Sequence, residues 1–228
     1  TSKKNLFSSI LSGILFHGVY LGGVFFSVSK GLPTGIAALI VTLQPILTNT
    51  FAGPLLNEKI TWRQWAGVML GFSGAVLVLG FDIGSNFPTI GVVAAFISLI
   101  SVTAATLWQK KITNNLPLPV SNLYQAIGGF VFHALVTLFF ENSFISFTPT
   151  FIIAMSHQIF LVSFGAFTIF MYLLHKGSAS KTVTLFFLVP PASAIMAWVF
   201  LNEYLSTLDI FGFGIATLGV YIATRQKV

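Results

Sequence analysis

The sequence predicts an all-α membrane protein, a helical bundle of about eight transmembrane helices built as an inverted repeat of three spans and five. Three observations predict it. The chain is far too apolar for a soluble domain: 55% of its 228 residues are hydrophobic, only 7% are charged, and mean hydropathy is +0.91. The apolar residues fall into segments long enough to cross a bilayer as helices. A polar hexad, "LNEKIT" at 56–61, returns as "LNEYLS" at 201–206.

The apolar segments run roughly 7–29, 33–55, 63–81, 89–109, 120–140, 151–174, 180–201 and 209–224, joined by short stretches carrying Pro, Asn, Gly and Ser. Backbone groups must be satisfied within lipid, so spans are helices or a closed barrel. The ten-residue alternation of a barrel is absent. Assigning alternate connections to the two faces places Lys3, Lys4, Lys59, Arg63, Lys110, Lys111, Lys176, Lys181, Arg225 and Lys227 on the side of the N-terminus. Only Lys30 falls opposite, with Asp82, Glu141, Glu203 and Asp209. The positive-inside rule makes the basic face cytoplasmic, with both termini on it. Trp62, Trp65, Trp108 and Trp198 fall near the borders, as an interfacial belt requires.

The net charge of +6 is scattered in ones and twos between apolar runs, which does not describe a nucleic-acid surface. Without cysteine there are no disulfides, thiolate metal sites or Cys nucleophiles. No cofactor or metal is expected. The four histidines lack metal-ligand spacing, and no GxSxG occurs, which weighs against a membrane-embedded lipid-modifying enzyme.

An offset of 145 residues aligns the hexads and extends beyond them: Pro45 with Pro190, Asn57 with Asn202, Glu58 with Glu203, Thr61 with Ser206, Gly67 with Gly212 and Gly74 with Gly219. A proline-broken helix, a polar turn and a glycine-bearing helix therefore recur. The charge count puts the two turns on opposite faces, so the copies are inverted, an arrangement seen in many secondary transporters. Thr61 with Gln64 and Ser206 with Asp209 fit capping boxes. Glu58 and Glu203 each follow a helix C-terminus, where the dipole disfavours an acid. Either acid is expected to accept from free N–H groups at the start of the next helix, or to touch solute; Glu58 has a further option in Lys59 or Arg63.

The stretch "AALIVTLQPILTNTFAGPLLNEKITWRQWAGVMLGFSGAVLVLG" resembles the second half of an EamA repeat of the drug/metabolite transporter superfamily, through Pro45, Glu58, Gln64, Trp65, Gly67, Gly71 and Gly74. "LVPPASAIMAWVFLNEYLSTLDIFGFGIATLGVYI" resembles its weaker C-terminal copy. The resemblance implies a ten-helix carrier of two inverted five-helix repeats, moving small metabolites, often outward, across a bacterial inner membrane. Here residues 1–86 correspond to a first repeat of three spans and 87–228 to a second of five. The family's first two helices have no counterpart, for which truncation is the first expectation and an eight-helix carrier, dimeric or not, the second.

Polar side chains at mid-span are costly and mark candidate sites. His17, Tyr20, Gln44, His133 and Ser193 are the expected solute-binding residues; Pro45, Pro190, Glu58 and Glu203 form the structural motif. A proline removes a donor and frees a carbonyl one turn earlier. The solute is therefore expected between the first two spans and the seventh, with His133 contributing. The competing reading is that each His or Gln bonds to a neighbouring helix, worth about 0.6–2 kcal/mol. The Phe186–Phe187 pair is expected to pack or face lipid. "GVYLG" at 18–22 and "GVMLG" at 67–71 offer small-residue faces for contacts within the chain or in a homodimer. No Asp, Glu, Lys or Arg lies at mid-span, which disfavours cationic drugs and phosphorylated solutes and leaves a neutral or zwitterionic, amino-acid-like metabolite. Proton coupling would fall to His17 or His133. The alternative is a scaffold or remnant that transports nothing.

Overall fold

The computed structural model describes residues 3–80, 87–112, 115–140, 145–201, 204 and 206–225. These form eight helical rods and, among the described residues, no strand. They are α1 (Lys3–Ser29), α2 (Thr34–Leu56), α3 (Trp62–Leu79), α4 (Thr89–Ile112), α5 (Leu118–Phe140), α6 (Pro149–Lys176), α7 (179–201) and α8 (Thr207–Thr224). Seven are long and apolar enough to cross a membrane. The exception to the eight expected spans is α3, whose apolarity is diluted by Arg63, Gln64, Ser73 and three glycines. Its glycines and Gln64 are buried, the glycine-bearing face being covered by another helix, while the exposed Ser73 hydroxyl donates to the Met69 carbonyl within α3 (2.9 Å).

That covering helix is α8, and the contact is close. A methyl added at Gly67 would meet the Gly219 carbonyl at 2.6 Å, and one at Gly74 the Gly212 carbonyl at 2.6 Å. Two backbones approach this closely only where both faces are small, the usual device for helix association in lipid. The register is antiparallel and reciprocal. Gly67 lies by Ala223 and Gly212 by Val78; Gly71 lies by Gly219 and Gly74 by Ala216. Shifting either member of a pair by 145 residues generates the other, so the repeat relation is built into the contact.

The remaining helices alternate in direction as successive crossings must. In α1 and α4 the partners run oppositely: Trp108 Nε1 donates to the Ser8 carbonyl (3.3 Å) and Ser101 Oγ to the Leu15 carbonyl (2.9 Å). α1 and α5 run in parallel, joined by a buried polar cluster. Ser9 Oγ lies 3.3 Å from Ser121 Oγ, Ser12 donates to Gln125 Oε1 (3.4 Å), and Gln125 and Gln109 both donate to Ser121 (3.3 Å). Gly13 and Gly128 permit that approach, and Gly18 and Gly22 of the same helix face Phe132 and His133, so the "GVYLG" and "GVMLG" faces are both used within the chain. A core of Phe16, Val102, Phe170, Met171, Leu174 and Val183 ties α1 and α4 to α6 and α7. Val68, Ala75, Phe187 and Val220 tie α3 to α7 and α8. The first half of α6 instead presents Ile153, Phe160, Leu161 and Phe164 outward, as lipid-facing surface does.

Four rods are interrupted. α1 widens into π turns over Ile14–Leu21 and α6 over His157–Ala166. α2 breaks at Thr42–Leu43, and α7 tightens to a 3-10 turn over Leu185–Leu188. The last two breaks immediately precede Pro45 and Pro190, which cannot donate to the carbonyls one turn earlier.

Candidate functional site

The two proline breaks border a cavity of about 890 Å3, within the range that takes a small molecule. Tyr20, Val24 and Phe25 of α1, Thr42, Gln44 and Pro45 of α2, and Phe186, Pro190 and Ser193 of α7 enclose it at mid-span. It extends to the end of the bundle where α1 and α3 finish and α2 begins, lined there by Val28, Thr34, Gly35, Val78 and Leu79. We call this the mouth end. The lining is mainly apolar. Its polar groups are the hydroxyls of Tyr20, Thr34, Thr42 and Ser193 and the amide of Gln44, with no charged side chain.

Gln44 is held rather than free. It is 3% exposed, and its Nε2 donates to Thr106 Oγ1 on α4 at 3.1 Å, whose own hydroxyl donates to the Val102 carbonyl. Tyr20 packs edge-on against Phe16. Phe187 is wholly buried against Gly71, and Phe186, expected as packing or lipid surface, stacks on Phe170 (5.2 Å between centroids) and also lines the cavity.

The structure thus brings Tyr20, Gln44, Ser193, Pro45 and Pro190 to one cavity, and leaves out His17 and His133. The His17 ring packs on Phe167 (4.6 Å between centroids) and Phe16. His133 Nε2 lies 2.9 Å from the His17 carbonyl, which can only accept, so that nitrogen carries the hydrogen. The π turns explain why His17 and Tyr20 part. Residues three apart share a face of an α-helix, but the wider turn rotates them onto different faces.

The other end of the bundle is closed. The Glu58 carboxylate accepts from the Ala179 N–H (2.7 Å), the Ser180 N–H (3.2 Å) and the Ser180 hydroxyl (2.7 Å). It caps the start of α7, not the start of the next helix, and not through Lys59 or Arg63. The reason is local: Thr61 and Gln64 already form a complete capping box for α3, so its N-terminus needs nothing from Glu58. Asn57, in left-handed backbone (φ 56°), ends α2 and lets the chain turn so that Glu58 reaches across. Lys110 Nζ donates to the carbonyls of Leu174 (2.9 Å) and Gly177 (2.6 Å), capping α6 on the other side of the same turn. The α6–α7 turn is therefore clamped by an acid on one helix end and a base on the other. Ser206 and Asp209 complete the second capping box. Glu203 lies outside the described residues.

Two groups of polar residues went unremarked in the sequence. The Ser9–Ser12–Gln109–Ser121–Gln125 cluster was signalled by polar residues three or four apart on each helix. Thr48 and Asn49 stand one turn beyond Pro45 and are 0% and 2% exposed. The repeat offset, which pairs Thr48 with Ser193, was their signal.

Comparison with known proteins agrees with this architecture. The EamA-like transporter family profile matches residues 1–80 and 89–225. An uncharacterized transporter of Bacillus subtilis, YvbV, is 30% identical over 88% of this chain and 65% of its own. A WAT1-related chloroplastic protein of Arabidopsis thaliana is 24% identical over 82% of this chain and 48% of its own. The chain thus spans 65% and 48% of the length of these two relatives, less than two thirds of each. A protein of Salmonella typhimurium described as a probable amino-acid metabolite efflux pump is 23% identical over 87% of this chain. One crystal structure superposes with a TM-score of 0.76 over 96% of this chain and 85% of its own, at 18% identity, a likeness of fold. With its multi-pass helical bundle and a family match over nearly its whole length, this chain belongs to the EamA-like transporter family.

Proposed function

We propose that the chain is a secondary transporter that carries a small neutral or zwitterionic, amino-acid-like metabolite by alternating access, and is not an enzyme. The observation that carries this reading is the uncharged mid-span cavity between two proline-broken helices, reaching one end of the bundle while the Glu58 clamp shuts the other. A cavity without fixed charge suits a solute with little net charge, since an ion would be left unpaired in low dielectric. The reciprocal α3–α8 contact supports a repeat boundary near residue 86, with residues 1–86 and 87–228 as the inverted partners. The distribution of Lys and Arg supports a cytoplasmic N-terminus, which makes the mouth end external; the Salmonella typhimurium relative described as a probable efflux pump supports export as the direction. A relative in Escherichia coli described as an inner membrane transporter, 24% identical over 98% of this chain, supports placement in such a membrane.

The test is flux in reconstituted vesicles. Labelled neutral amino acids are expected to cross faster than through protein-free vesicles, and faster than phosphorylated or cationic solutes. Flux no faster than in empty vesicles across that panel would refute the reading and leave a membrane scaffold in its place.

A further inference from the structure

Asn49 is buried with neither atom of its amide bonded among the described residues, and the neighbouring Thr48 hydroxyl is likewise unpaired. Within a membrane bundle such groups are expensive and need a partner in some state of the protein. Their position says which. The cavity uses Gln44 and Pro45 from α2, and Val189, Pro190, Ser193 and Ala194 from α7. The repeat offset exchanges Gln44 with Val189, Pro45 with Pro190, Thr48 with Ser193 and Asn49 with Ala194. A cavity opened from the other end by the same symmetry would therefore be lined by Thr48 and Asn49 where the present one is lined by Ser193 and Ala194. Both residues lie between the proline break and the Glu58 end of α2, about one helical turn below Pro45 (~5 Å). The buried start of α7, Ala179–Thr184, packs against that part of α2, and Glu58 holds it there.

We infer that Thr48 and Asn49 form the polar solute subsite of the oppositely open state, covered here by the start of α7 and uncovered when the Glu58 cap on that helix releases. This rests on the transport reading above and adds the residues of its second half. The ligand class follows from the donor and acceptor set. Asn49 Nδ2 donates to a carboxylate, while Asn49 Oδ1 and the Thr48 hydroxyl accept from an ammonium group. The two ends of an amino-acid zwitterion are thus matched without any charged side chain.

The chain contains no cysteine, so single cysteines report access directly. Ser193→Cys and Asn49→Cys are each treated with a membrane-impermeant maleimide from one face and then the other, in cells and in inverted vesicles. Position 193 is expected to react from the mouth face. Position 49 is expected to react only from the Glu58 face, and at least fivefold faster when Glu58→Ala is added. Thr48→Cys replaces Asn49→Cys if the latter fails to reach the membrane. Reaction of position 49 from the mouth face, or no reaction from either face even with Glu58→Ala, overturns the inference. A flux arm separates binding from packing. Asn49→Ala is expected to raise KM at least fivefold for zwitterionic solute presented at the Glu58 face, with KM at the mouth face changed less than twofold. An equal change at both faces, or none, also overturns it. Absence of flux in the parent protein is a different result: it refutes the transport reading, and the solute assignment with it.

Discussion

Gly74→Ala, compared with Gly214→Ala, tests the α3–α8 contact on which the repeat symmetry rests. A methyl at Gly74 would stand 2.6 Å from the Gly212 carbonyl and closer still to the Ala216 amide. Ordinary contact begins at 3.4 Å, so the backbones must separate by at least about 0.8 Å. Neither obstacle is a side chain that could rotate away, so the whole face shifts. Overpacking of this kind costs about 1–3 kcal/mol. At about 2–4 °C per kcal/mol for a chain of this size, the melting temperature should fall by several degrees. Gly214, on the exposed face of α8, has nothing within 4 Å of the added methyl, and alanine favours the helix by up to ~1 kcal/mol. The same substitution should there be neutral or stabilising. Gly219→Ala, the repeat counterpart of Gly74, would meet the Gly67 carbonyl at 2.7 Å and should cost about as much as Gly74→Ala. Thermal unfolding of the purified protein in mild detergent reads all three. Equal effects of Gly74→Ala and Gly214→Ala, or a harmless Gly219→Ala, would refute the reciprocal packing.

Gln44→Ala should reduce flux at unchanged membrane abundance, because it removes the only amide lining the described cavity and leaves Thr106 without its donor; surface quantification beside the flux assay checks this. Glu58→Ala removes three hydrogen bonds from the start of α7 and, as loss of a helix cap, should cost about 1–2 kcal/mol, read as a melting shift that Glu58→Gln reproduces only in part. Gln125→Leu keeps the volume but strips the α1–α5 cluster of its central amide; a loss of about 0.6–1.7 kcal/mol is expected in detergent or denaturant unfolding, with flux per folded molecule retained. His17→Ala should alter stability rather than KM, since its ring packs on Phe16 and Phe167 away from the cavity; a KM change without a stability change would return it to the site.

The helices were legible in the sequence because bilayer thickness sets their length and lipid forbids charge along them. Their alternating direction was legible from Lys and Arg, and the cavity's location from Pro45 and Pro190, because a missing N–H breaks a helix wherever it occurs. The repeat was legible as Pro45–Glu58–Gly67–Gly74 against Pro190–Glu203–Gly212–Gly219, and among the described residues the glycines of both copies meet in one contact. Local chemistry alone determined these features. Only the tertiary structure decided what each polar side chain faces. His17 and Tyr20 are three residues apart, yet the π turns of α1 send one to α5 and α6 and the other to the cavity. Glu58 reaches a helix start 121 residues away because its own neighbours had already capped α3. Thr48 and Asn49 carry the same polarity as Ser193 and lie buried in the state described. Periodicity is written along a chain, whereas burial and partnership depend on which distant helix arrives alongside, and no short stretch of sequence contains that.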